Sequence, residues 1–435
     1  MLMAIDYGLR RAQLAQRLPS NSVAVIPAAS AVIRNGDAHY RFRQDSDFYY
    51  LTGFNEPDAV LVVVSGDAPH SVLFNRPRVP HEEQWTGPRL GQEDARAVLG
   101  VNEAWALSLF ETRLVDYLAG QQAIYYPVGR YPLYEAAVFR AWQAVKARVR
   151  QGVTSPASCC DLAPILGEMR LIKSPDEIDL MREAARISVA AHRHVMQVSR
   201  GLTMEYELEA ELLYRLVRAG CRDVAYDSIV ASGHHACTLH YTDNNSPLEP
   251  NALVLIDAGG EFEHYAADIT RTFPVNGRFN KHQRLIYELV LRAQRAGIAC
   301  VKPGCPWDLI QKTMVRVLTE GLVELGLITG DVDHLIKTEA YKPFYMHSSG
   351  HWLGLDVHDV GSYRVDGQWR TLMPGMVLTV EPGLYIPKHM EDVDPEWRGI
   401  GVRIEDDILV TTTGCDNLTQ ALPVSVEAIE DLLRG

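Results

Sequence analysis

The chain has 435 residues, 47% of them hydrophobic and 22% charged, with a formal net charge of −13. That length is too great for one ordinary core and predicts two domains in a soluble globular protein. The acidic excess argues against nucleic acid as the main partner, because a phosphate-binding face needs a basic surplus.

The N-terminus, MLMAIDYGLRRAQLAQRLPS, has no unbroken apolar run; it reads as a short amphipathic helix and not as a signal peptide. SVAVIPA, AVLVVV, SVLFNRP and AIYYPVG read as strands, and the stretches around Glu93–Leu99, Leu107–Ala119 and Leu133–Val149 as helices. Strands alternating with helices predict an α/β domain. No GxGxxG follows a strand, so a dinucleotide-binding reading fails. Polar Gln151–Ser158, with Gly and Pro, reads as a linker region.

A helix start follows. Ser174 suits the N-cap, Pro175 suits the first helical position and Glu177 completes a capping box. One helix should run to about Ser199, and a second lies near Glu205–Ala219. SIVASG, LVLIDAG and ITRTFPV read as strands. The pattern then repeats, with helices at Lys281–Cys300 and Trp307–Leu325 and strands MVLTVEPGLY and VRIEDDILVT. The C-terminal half thus reads as helix–helix–strand–strand, twice.

The chemistry lies in those strand pairs. Asp257 ends an apolar run, where an unpaired carboxylate is costly to bury. GEFEHYAAD turns back and sets Asp268 ahead of the next strand, so a hairpin would bring the two carboxylates together. Asp is also common in turns, so this pair alone leaves an ordinary turn open. Glu381 follows another apolar run. Glu405 is read inside a strand, with Arg403 on the same face by alternation; a salt-bridged strand residue is the plain alternative. Between the pairs, HSSGHWLGLDVHD holds His347, His351 and His358, three of the fifteen histidines within twelve residues. His240, in TLHYTDNN, is a fourth candidate by residue type alone.

Four carboxylates and one imidazole, without thiolate, favour Mn²⁺ or a related divalent ion. Two dications would balance four negative charges, and ions typically about 3.5–4 Å apart share carboxylates and a water that becomes a nucleophile. Hydrolysis of an amide or a phosphoester is the expected chemistry. The seven cysteines, Cys159, Cys160, Cys221, Cys237, Cys300, Cys305 and Cys415, include no CxxC pair. They suggest neither a disulfide framework nor a zinc site, and a reducing, cytoplasmic home is expected. No segment is long and apolar enough to span a bilayer, so no membrane partner is expected.

In chain order, YDSIVASGHHACTLHYTDNN, LVLIDAGGEFEHYAADITRTFPVNG, HSSGHWLGLDVHDVG, VLTVEPGLYIP and RGIGVRIEDDILVT together resemble the bacterial Xaa-Pro aminopeptidase (aminopeptidase P) family. YRFRQDSDFYYLTGFNEPDAVLVV and SVLFNRPR…EEQWTGPRLG extend the resemblance over nearly the whole chain. It implies an α/β N-terminal domain, residues 1–172, with a mixed sheet like that of creatinase. It implies an α+β pita-bread catalytic domain over residues 173–435.

It further implies that Asp257 binds one metal, that Asp268 and Glu405 bridge two, and that His351 and Glu381 complete the other site. A metal-bridging hydroxide would attack the carbonyl before proline in Xaa-Pro- peptides, with Glu381 passing on the proton. His358 and His240 would hold the peptide and the oxyanion, while His347, Tyr226 and Arg403 line the substrate site. Trp85 resembles a residue that reaches a neighbouring subunit's site, in a homo-oligomer of two or four chains. The sequence departs from the family at Ser348-Ser349-Gly350, where many relatives carry Gly first; the histidine spacing is kept. Two alternatives stand beside this reading. A prolidase cleaving Xaa-Pro dipeptides would use the same ligands, and a metal-free pita-bread binding protein would have lost some of them.

Overall fold

The computed structural model describes residues 5–66 and 70–434. These form two compact units, residues 5–170 and 171–434.

In the first unit, Ser22–Pro27 forms the centre of a six-stranded mixed sheet, buried along its whole length. It pairs antiparallel with Val60–Val64, which pairs antiparallel with His70–Asn75. On its other side it pairs parallel with Ala123–Tyr126. Strand Glu103–Ala106 closes one edge and Ser158–Asp161 the other, both parallel to their neighbours. Alternate valines explain this core. Val23, Val25, Val60, Val62 and Val72 share one face, packed with Phe110, Leu114 and Leu118 of helix Phe110–Leu118 and Val138 and Val145 of Pro132–Ala147. The expected linker is corrected here. After Gln151–Ser158 the chain stays in the first unit, adding an edge strand and helix Ala163–Leu171. The segment SCCD is half-exposed and polar, as an edge strand can be, so it lacks the apolar run that marks a central one.

In the second unit, helix Pro175–Val198 starts at the predicted capping box: Glu177 Oε2 accepts from the Ser174 N–H at 2.9 Å, and Ser174 Oγ from the Glu177 N–H at 3.4 Å. Helix Glu205–Arg218 follows, and then the antiparallel sheet of Ile229–Ser232, Leu253–Asp257 and Thr270–Pro274. The doubled pattern returns with helices Lys281–Cys300 and Trp307–Glu324 and a sheet of Val377–Val380, Asp406–Val410 and Cys415–Asn417. One detail differs from expectation. MVLTVEPGLY and VRIEDDILVT are each two strands, because Gly383–Ile386 pairs with Ile400–Arg403 in a separate sheet. Glu405 therefore sits between strands, not inside one. Pro382 marks the matching break on the neighbouring strand, having no N–H to give to a ladder.

Arg271 ties the two halves of this unit together. Its guanidinium, 1% exposed, donates to the Glu405 carbonyl and to Asp406 Oδ1, each at 2.7 Å, and to the Pro423 carbonyl at 3.2 Å. Removing one member of a buried ion pair typically costs about 3–5 kcal/mol. Arg271→Leu should lower the chemical-denaturation stability by about that amount; an unchanged midpoint would refute the brace.

Candidate metal centre

The broken strands aim four carboxylates at one place. Asp257 ends its strand opposite Thr270, two residues beyond Asp268. Glu381 and Glu405 flank the paired residues Val380 and Asp406. Thr270 links the halves: its carbonyl accepts from the Glu405 N–H at 3.1 Å, and its hydroxyl donates to Glu405 Oε2 at 2.7 Å. The histidine loop is stapled to strand Val377–Val380. The Thr379 N–H donates to the His351 carbonyl at 2.9 Å, and the Glu381 N–H to the Ser349 carbonyl at 2.8 Å. Gly350 permits this approach, since an added Cβ would lie 2.0 Å from the Thr379 carbonyl oxygen.

Asp268, His351 and Glu405 offer ligand atoms all within 4.8 Å of one another. His351 Nδ1 donates to the Trp352 carbonyl at 2.9 Å, which turns Nε2 towards Asp268 Oδ2 at 3.3 Å and Glu381 Oε1 at 3.8 Å. Tyr226 Oη lies 2.6 Å from Asp257 Oδ1 and 2.5 Å from Asp268 Oδ1. A phenol has one proton to donate, so it satisfies only one of these oxygens. Arg403 donates to Asp257 Oδ2 at 2.6 Å and to the Tyr385 hydroxyl at 3.0 Å. Tyr385 in turn meets His347 Nε2 at 2.8 Å, and His347 Nδ1 meets the Ser348 carbonyl at 2.7 Å.

The charges do not balance. Arg403 and a protonated His351 would offset two of the four carboxylates. Burial pushes the Glu381 carboxyl up to about 8, with the Asp268 charge adding to it, and drives Glu405 well above the carboxylate range. Burial also raises Asp257 against the pull of Arg403. Burial opposes charge on Asp268 too, but the hydrogen bond and charge of His351 win, and its carboxyl is lowered. Burial disfavours the His351 imidazolium, yet Asp268 and Glu381 overcome this and raise it to about 9. His347 is pushed down to about 4 by burial and by Arg403, so it is neutral near pH 7. His358 is lowered by burial and by His351, against which its ring packs edge-on at 4.4 Å. This surplus of buried negative charge, with oxygen and imidazole donors, fits divalent cations.

Ten of the eleven residues singled out in the sequence line one cleft of about 970 Å³. The eleventh, Trp85, lies in the first unit on helix Pro80–Thr86 and is 88% exposed. Asp359, next to His358, is anchored by the buried Lys173 ammonium at 2.8 Å. Sequence reasoning missed Thr270 and Tyr385. For Thr270 a signal existed, since alternation sets it on the face of Asp268. It also missed Gln311, whose Oε1 accepts from the Ser349 N–H at 2.6 Å and from the Ser349 hydroxyl. That polar anchor holds the loop at the Ser348-Ser349-Gly350 departure. Trp307, Tyr363 and Trp369 add an aromatic wall.

Residues 179–412 match the model of metallopeptidase family M24, and residues 7–125 that of the aminopeptidase P N-terminal domain. The chain is 46% identical to the Xaa-Pro aminopeptidase of Escherichia coli (strain K12), over 98% of this chain and 97% of that one. Its fold matches an aminopeptidase from Pseudomonas aeruginosa at a TM-score of 0.97 and 46% identity, covering 100% of this chain and 99% of the other. It matches zinc-substituted E. coli aminopeptidase P in complex with product at 0.96 and 46%, covering 99% and 98%. The chain belongs to metallopeptidase family M24: it is a metal-dependent aminopeptidase, built as a pita-bread catalytic domain preceded by an aminopeptidase P N-terminal domain.

Proposed function

We propose that the chain removes the N-terminal residue from peptides with proline in second position, using two divalent ions, Mn²⁺ by preference. The observation that carries this reading is an intact donor set inside a peptide-sized cleft, in a chain 46% identical to an Xaa-Pro aminopeptidase from end to end. Asp257 would hold one ion, Asp268 and Glu405 would serve both, and His351 and Glu381 would complete the other site. When bound, such ions acidify a water and polarise the scissile carbonyl.

The side chains do the rest. Glu381, whose carboxyl sits at about 8 in the metal-free protein, takes up the proton released on attack and hands it to the leaving proline nitrogen. His358 and His240 hold the peptide and steady the oxygen that gains charge. His347, fixed by Tyr385 and so by Arg403, lines the substrate site together with Tyr226. We assign residues 173–435 to catalysis and residues 1–172 to assembly. In that assembly the exposed Trp85 completes a neighbouring chain's cleft within a cytoplasmic homo-oligomer.

Substrate length separates this reading from a prolidase. Xaa-Pro-Xaa peptides should be cleaved after the first residue, activity should vanish on chelation, and Mn²⁺ should restore it best. Cleavage of Xaa-Pro dipeptides alone would overturn the aminopeptidase reading. Metal uptake should also displace protons, since Glu381 and His351 carry them at neutral pH when metal-free and must shed them to bind an ion. Apparent Mn²⁺ affinity should therefore rise from about pH 6 to about pH 9, and binding heats near neutral pH should depend on the buffer's ionisation enthalpy. A flat affinity profile would contradict this protonation state.

A further inference from the structure

His240 lies on the loop that joins strand Ile229–Ser232 to strand Leu253–Asp257, and it lines the cleft. It is exposed, and among the described residues none hydrogen-bonds its ring. With no such bond to hold it, this imidazole stands where the loop backbone carries it.

That backbone is gathered at one buried carboxylate. Glu205 opens helix Glu205–Arg218 and is 0% exposed. Its Oε1 accepts from the Ser232 N–H at 2.8 Å and lies 3.2 Å from His235 Nδ1. Its Oε2 accepts from the Tyr241 hydroxyl and from the Ser246 N–H, each at 2.8 Å. All four partners belong to one stretch of chain: its entry, its exit and the residue beside His240. The Tyr241 ring also stacks on His235, with centroids 4.6 Å apart. A carboxylate is buried in this way only when donors match its lone pairs. Here the loop supplies the donors, so a displaced loop would strand the charge. Asn244 adds a second brace, accepting from the Val230 N–H at 2.9 Å and donating to the Ser228 carbonyl at 2.8 Å. Glu205 itself does not reach the cleft.

We propose that Glu205 is a positioning residue for the aminopeptidase reaction: by gathering Ser232, Tyr241 and Ser246 on its buried carboxylate, it fixes where His240 stands over the substrate. This rests on the reading of His240 as a substrate-holding group.

Tyr241→Phe deletes one hydroxyl from the clamp, and Glu205→Gln sets an amide N–H against its donors. Each is assayed on an Xaa-Pro-Xaa tripeptide in the Mn²⁺-loaded full chain, alone and combined with His240→Ala, with metal content measured alongside. Tyr241→Phe alone should lower kcat/KM by about ten-fold and Glu205→Gln by more, with metal content unchanged. Added to His240→Ala, either should change kcat/KM by less than about two-fold, because residues acting as one unit are not additive. If Glu205→Gln does not fold, Tyr241→Phe carries the test. Equal fold-losses in both backgrounds, or native kcat/KM in both single variants, would overturn the positioning role alone. An inactive wild-type chain, or native kcat/KM in His240→Ala, would instead overturn the reading on which it rests.

Discussion

Four carboxylates share one buried pocket, and the rest of the second unit is arranged around that fact. Burial leaves little water to screen them, and Arg403 and His351 offset only part of their charge. A protein can tolerate such a cluster by protonating it or by filling it with cations. The raised carboxyls of Glu381 and Glu405 are the first outcome, seen in the chain by itself. Metal binding is the second, and it is the one that family M24 chemistry requires. The same electrostatic cost thus raises these carboxyls and favours cations at the site.

Holding repelling groups together demands a rigid frame. The frame is a pair of sheets whose strands break where the carboxylates project. Thr270 and Arg271 join the two halves through the Glu405 side chain and backbone. Around the metal centre, a line of hydrogen bonds runs from Asp257 through Arg403 and Tyr385 to His347. A neutral His347 can accept from the Tyr385 hydroxyl while that oxygen accepts from Arg403. His347 is in this way referred back to the buried Asp257 carboxylate.

Much of this was legible in the residues. Asp257 and Glu381 stood out because each ends an apolar run, where a bare carboxylate has no local partner. The helix beginning at Pro175 was marked by its own capping box. The doubled helix and strand order followed from hydrophobic periodicity. Other parts were not legible, for physical reasons. Glu405 was read inside a strand, because local propensity does not show where a strand leaves one sheet for another. The half-exposed strand Ser158–Asp161 has no apolar signature, so it was not read as a strand, and the polar Gln151–Ser158 just before it was read as a linker. Tyr385 and Gln311 act through partners distant in sequence, a relation that spacing cannot reveal.

The central claim is that the buried charge surplus holds two ions sharing carboxylates. Titration of the metal-free chain with Mn²⁺, followed by electron paramagnetic resonance, tests it most directly. The account predicts uptake of two equivalents per chain and a spectrum of two exchange-coupled ions. Saturation at one equivalent, or two equivalents giving only the uncoupled single-ion spectrum, would contradict it.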